Sequence, residues 1–88
     1  MAKRVTYSGR VQGVGFRATA AALAADHAVQ GWVRNLPDDR VELLVDGPPE
    51  AVEAFLNAVR TEMARHIRGE EVIECEADER LEGFNVRC

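Results

Sequence analysis

From Arg4 to Val11 the chain alternates, with Val5, Tyr7, Gly9 and Val11 on one side and Thr6, Ser8 and Arg10 on the other. That period of two is the signature of a half-buried strand. The alternation breaks at Gln12-Gly13-Val14-Gly15-Phe16. An alanine-rich run with Leu23 follows from Arg17 to Asp26 and favours helix. A strand that runs through a glycine loop straight into a helix start restricts the architectures open to the rest of the chain.

Val29 to Leu36 alternates again, Pro37-Asp38-Asp39 marks a turn, and Val41 to Val45 predicts a third strand, so residues 29–45 read as a β-hairpin. Pro48-Pro49-Glu50 opens a second helix, in which Val52, Phe55, Leu56, Val59 and Met63 recur on one face as core positions. Arg65 to Glu71 reads as a connection. Val72 to Ala77 and Phe84 to Arg87 predict short strands around a polar turn with Asp78, Glu79 and Arg80. This order of elements fits an α+β, ferredoxin-like split βαβ plan: an antiparallel sheet of four to five strands with two helices packed on one face. A right-handed crossover makes strands one and two parallel with strand three between them. Their C-terminal ends, and with them the loop at residues 12–16 and Asn35, then share one edge.

With 88 residues, only one hydrophobic core can close, so residues 1–88 are expected to form a single domain. The composition, 47% hydrophobic and 30% charged, is that of an ordinary globular protein and excludes the disordered and disulfide-dense classes. No apolar run approaches the ~20 residues of a membrane span, and Met1-Ala2-Lys3-Arg4 leads into a strand pattern without a signal-peptide stretch. No membrane partner and a cytoplasmic location are the expectations. Cys75 and Cys88 form no metal-ligand or redox spacing, and Cys75 reads as a buried thiol. His27, at a helix end, and His66, past helix two, read as surface or capping residues. Glu70, Glu71, Glu74, Glu76, Asp78 and Glu79 read as a solvated edge that opposes strand aggregation, and Trp32 should face the uncovered side of the sheet.

The net charge of −4 conceals an asymmetry. Residues 1–40 carry six basic and three acidic side chains, and residues 41–88 five basic and twelve acidic. A local positive field in the first half suits a small anionic ligand better than nucleic acid, which calls for a broad basic surface.

The loop is where such an anion would bind. Gly13 and Gly15 free the backbone to aim successive N–H groups at one point, the helix start adds partial positive charge, and Arg17 can return a guanidinium to the same point. A guanidinium binds phosphate through two parallel charge-assisted hydrogen bonds. The same residues are also compatible with a tight turn beside a solvated arginine. Gly13-x-Gly15-x-x-Ala18 matches a dinucleotide fingerprint formally, but the apolar parallel strands and longer chain of such folds are missing. Asn35 lies on the face of Val29, Gly31 and Val33, at the strand end nearest the loop. Its amide can hold a water with one group and contact a phosphate with the other, or it can cap the turn before Leu36-Pro37.

Gly9-Arg10-Val11-Gln12-Gly13-Val14-Gly15-Phe16-Arg17 resembles the first signature of the acylphosphatase family, and Gly31-Trp32-Val33-Arg34-Asn35 resembles the second. The similarity continues through Leu36-Pro37-Asp38-x-Arg40-Val41-Glu42, Asp46-Gly47 and Val52-x-x-Phe55-Leu56, and returns at Glu82-Gly83-Phe84-x-Val86-Arg87. The resemblance implies a small stand-alone enzyme that hydrolyses acyl phosphates to a carboxylate and inorganic phosphate. It implies Arg17 and Asn35 as catalytic residues and Gln12, Gly13, Val14, Gly15 and Phe16 as the phosphate-binding loop, with no cofactor and no metal; the oligomeric state is open, with a monomer as the default. It leaves open which acyl phosphate is the physiological one. Two other roles share the plan: a regulatory module that only binds an anion, and an acylphosphatase-like domain serving carbamoyl transfer. The chain departs from the family pattern at His27-Ala28, at Asp39 in place of a hairpin glycine, and in the connection Arg65 to Glu71, which lacks Gly-Pro. These departures bear on turn geometry and stability.

Overall fold

The computed structural model describes residues 2–76 and 80–87. The elements run β1 (Ala2–Gly9), α1 (Phe16–Ala25), β2 (Gln30–Asn35), β3 (Val41–Asp46), α2 (Pro49–Glu62), β4 (Ile67–Cys75) and β5 (Phe84–Arg87). The strands form one sheet in the order β4-β1-β3-β2-β5. β1 and β2 both pair antiparallel with β3, so they are parallel to each other with β3 between them, as the crossover argument requires.

One face of this sheet carries the core. Val5 and Tyr7 of β1, Val33 of β2, and Val41, Leu43 and Val45 of β3 have no exposed surface. They pack with Phe16, Ala20 and Ala24 of α1 and with Val52, Phe55, Leu56 and Val59 of α2, joined by Met63 just beyond it. All five apolar positions expected for helix two are therefore core. α2 begins with Pro49 at its first turn, carries Glu50 near its N-terminus and Arg60 in its last turn, and so complements its own dipole at both ends. The Tyr7 phenol is fully enclosed in this core; burial pushes its pKa up, Glu70 adds to the rise and Arg60 opposes it. The hydroxyl therefore stays neutral throughout the physiological range.

The opposite face is open. Trp32 lies there as expected, in register with Leu44, with the Arg34 and Arg87 guanidiniums 5.2 and 4.7 Å from its ring centroid. Arg34 also pairs with the nearly buried Glu42 at 2.7 Å.

The structure corrects the sequence reading in three places. The sheet is mixed, because β5 pairs parallel with β2, from Gly31 opposite Phe84 to Arg34 opposite Arg87. Residues 67–71, read as part of a connection, are the first half of β4 and pair with β1 up to Gly9. Their glutamates and Gly69 show no apolar alternation because β4 is an edge strand and largely solvated on both faces; pairing with β1 alone makes them extended. Cys75 is half-buried rather than buried, since it falls in this same edge strand. Glu71, Glu74 and Glu76 are exposed along that edge, while Glu70 is paired with Arg60 at 2.9 Å. The expected strand end at Ala77, the turn residues Asp78 and Glu79, and Cys88 lie outside the described residues.

The hairpin between β2 and β3 bears out the concern raised by Asp39, whose φ of 71° is the one positive value at a non-glycine among the described residues. A side chain in this left-handed region costs about 1–2 kcal/mol, less for aspartate than for most residues. Asp39→Gly is accordingly expected to raise stability by about 1 kcal/mol, or about 4–8 °C in Tm for a domain of this size. Asp39→Val should lower it by a similar amount, because a β-branched residue tolerates positive φ worst. Thermal melts followed by circular dichroism check both signs.

Candidate active site

The pairing register brings the chemistry together. Tyr7 and Asn35 both lie opposite Val41, one on each side of β3, so the C-terminal ends of β1 and β2 reach the same edge of the sheet. β1 ends two residues after Tyr7, and the chain then turns through residues 10–15 into α1. Gly13 and Gly15 take φ values of 74° and 79°, a left-handed backbone that glycine adopts without steric cost. Gly15 is the residue that caps α1, and no side chain caps the helix in its place.

The first hydrogen bond within α1 runs from the Thr19 N–H to the Gly15 carbonyl at 2.9 Å. The N–H groups of Gly15, Phe16, Arg17 and Ala18 precede it and have no partner inside the helix. The first turn of α1 contains no acidic residue to neutralise them. Such a terminus favours a bound anion through both its donors and its dipole.

A cleft of about 250 Å³ opens at this edge, walled by Val11, Gly13, Gly15, Phe16, Arg17, Ala18, Asn35 and Val86. Arg17 and Asn35, 18 positions apart in sequence, thus meet in one concavity with both loop glycines. Arg17 is half-buried, and its Nη1 donates to the Arg87 carbonyl of β5 at 3.1 Å. That bond uses one of the five donors of the guanidinium fork and anchors it over the cleft. Phe16, expected as a loop residue, is also the first residue of α1, and its ring packs against Tyr7 at a centroid distance of 4.9 Å with the two planes tilted by 52°. The loop is thereby tied to the core.

Two other expected loop residues behave differently. Val14 is not a wall of the cleft and is 36% exposed. Gln12 is not a wall either; its side-chain amide donates to the Leu36 carbonyl at 2.8 Å and the Arg40 carbonyl at 2.9 Å, across the β2–β3 hairpin. Val11, Ala18, Val86 and the Arg87 carbonyl are contributions that reading residue by residue did not single out. The signal for the last two lay in the segment Glu82 to Arg87, which carries part of the resemblance.

The histidines stay out of the cleft. The Nδ1 of His27 lies 2.8 Å from the Leu23 carbonyl at the end of α1, which makes it a capping residue, and His66 follows α2. Among the described residues no three His, Cys, Asp or Glu side chains gather into a metal-ligand set.

The acylphosphatase family model matches residues 3–86. An acylphosphatase of Haloarcula marismortui is 45% identical over 83 residues, which cover 94% of this chain and 91% of that protein. The crystal structure of acylphosphatase from Bacillus subtilis superposes with a TM-score of 0.87 at 33% identity, covering 99% of this chain and 98% of that one. The crystal structure of HypF from T. kodakarensis matches the whole chain with a TM-score of 0.86 at 28% identity, over 12% of its own length. By the match of the family model over residues 3–86 and of relatives over nearly the whole chain, the chain belongs to the acylphosphatase family, enzymes that hydrolyse acyl phosphates.

Proposed function

We propose that Arg17 and the N–H groups of the Gly13–Gly15 loop hold the phosphate of an acyl phosphate while Asn35 places the attacking water. The observation that carries this reading is the meeting of Arg17, Asn35 and both loop glycines in one cleft. The water oxygen attacks phosphorus, the bond from phosphorus to the acyl oxygen breaks, and the carboxylate leaves with the bonding pair. A carboxylate has a conjugate acid of pKa about 4, so it departs without a proton and the site needs no strong general acid. The proton of the water passes to a phosphate oxygen of the substrate. Positioning and charge stabilisation supply the acceleration, as in other phosphoryl transfers. In this reading residues 1–88 act as one domain, a monomer in the cytoplasm, with inorganic phosphate as product. Among the described residues no helix is long and apolar enough to cross a membrane. A module that only bound the anion would release no phosphate from acetyl phosphate, and a turnover assay decides between the two.

Asn35→Ala should lower kcat on the order of 10² or more and leave KM little changed, because it removes the water's partner and spares the phosphate donors. A large rise in KM at normal kcat would assign Asn35 to binding instead. Turnover should persist after exhaustive EDTA treatment, since the donors of the cleft are N–H groups rather than metal ligands; loss of activity restored by a divalent ion would overturn the chemistry.

Inorganic phosphate provides a separate test of Arg17. A ligand at about 100 times its Kd stabilises a folded protein by roughly 2.7 kcal/mol through mass action. Millimolar phosphate at constant ionic strength should therefore raise Tm by several degrees as the site fills. The shift should nearly vanish in Arg17→Ala and largely persist in Asn35→Ala. Equal shifts in the wild type and Arg17→Ala would place the phosphate elsewhere.

A further inference from the structure

Gln12 sits in the phosphate loop, yet its side chain bonds to a different element. Its Nε2 carries two N–H donors, and each has one acceptor: the Leu36 carbonyl at 2.8 Å and the Arg40 carbonyl at 2.9 Å. These carbonyls bracket the turn between β2 and β3. The Leu36 N–H closes the same turn onto the Arg40 carbonyl at 2.8 Å, and Asp38 holds Arg40 through its backbone N–H at 3.3 Å and its Nε at 2.7 Å. Asn35 is the residue directly before Leu36. One neutral amide therefore joins the loop that carries the phosphate donors to the hairpin end that carries the carboxamide.

We propose that Gln12 is a positioning residue for Asn35: its two hydrogen bonds fix the separation between the phosphate loop and the end of β2, and through it the line along which water approaches phosphorus. The inference rests on the role of Asn35 given above. It assigns Gln12 no contact with substrate. The physical ground is the steep dependence of a positioned reaction on geometry, where about 1 Å of displacement costs on the order of 10²-fold in rate. The loop has other anchors, Phe16 in the core and Gly15 at the helix cap, so the phosphate donors keep their places when this bridge is cut.

The test is a double-mutant cycle on kcat with acetyl phosphate, using Gln12→Met, Asn35→Ala and the combination. Gln12→Met keeps the length of the side chain, loses both donors and adds no charge to the loop. Gln12→Leu serves as the second variant should the thioether repack the loop. Either Gln12 variant is expected to lose about tenfold or more in kcat, with KM and the phosphate-induced rise in Tm close to wild type. Added to Asn35→Ala, it should change kcat less than about twofold, because the group it positions is gone. Losses that multiply would show that Gln12 acts independently of Asn35 and would overturn the inference while leaving the role of Asn35 intact. A Gln12 variant that loses the phosphate-induced shift would likewise overturn it, by making Gln12 part of the anion site. Full kcat in Asn35→Ala would remove the role of Asn35 and the inference together.

Discussion

Val41 lies opposite Tyr7 in one ladder and opposite Asn35 in the other, and the cleft depends on that double register. Because side chains alternate between faces, a slip of one residue between β2 and β3 would turn Asn35 to the open face and bring Trp32 and Arg34 to the core face. The register is held by burial. Val33 has no exposed surface and packs in the core with Leu43 and Val45 of β3, which β1 holds from the other side, and a slip of β2 would put Trp32 or Arg34 in its place. The hydrophobic pattern that folds the sheet is thus the same pattern that aims the carboxamide. The right-handed crossover then delivers α1 to the same edge, with its uncapped start beside that carboxamide.

A protein of net charge −4 that holds an anion separates its charges in space. β4, with the exposed Glu71 and Glu74, forms one edge of the sheet, and β5, whose Val86 lines the cleft, forms the other. Glu71 lies opposite Thr6 and Glu74 opposite Lys3, while the loop begins after Gly9 at the other end of β1. At about 3.4 Å per residue, these glutamates stand roughly 10 and 20 Å back along the strand from the loop, beyond the Debye length of about 8 Å at physiological ionic strength. The charged edge opposes pairing with other strands.

Most of the fold was legible because its periods are clean. β1, the β2–β3 hairpin and the apolar face of α2 each expose one face and bury the other, and these elements followed from alternation or helical spacing. β4 was half hidden for the opposite reason: an edge strand with little buried surface on either side leaves no hydrophobic signature, and its first five residues are extended only because β1 pairs with them. The parallel seating of β5 was not legible from four residues, since Phe84 and Val86 alternate in the same way whichever direction the neighbour runs. At the site, Arg17, Asn35 and the glycines were visible as types suited to an anion. The side chain of Gln12 was not, because its partners are backbone carbonyls 24 and 28 positions away, which leave no trace in sequence.

The bond from Arg17 to the Arg87 carbonyl links that late, short strand to the chemistry proposed for the cleft. β5 is also held by the pairing with β2, the Gly31 N–H bonded to the Gly83 carbonyl at 2.9 Å, the Phe84 ring packed on Phe55 at a centroid distance of 5.5 Å and the Arg87 guanidinium over the Trp32 ring at 4.7 Å. A guanidinium on a long side chain loses about 2 kcal/mol of rotamer freedom when fixed, and a carbonyl that already holds it reduces what the phosphate must supply. The acceptor that performs this service is a main-chain oxygen, which carries no net charge and so does not compete with the substrate as a carboxylate would. A neutral tether at Arg17 and a neutral tether between Gln12 and the hairpin follow the same logic. In the proposed reading each fixes a group of the cleft without placing a negative charge beside the point where a doubly charged phosphate would enter.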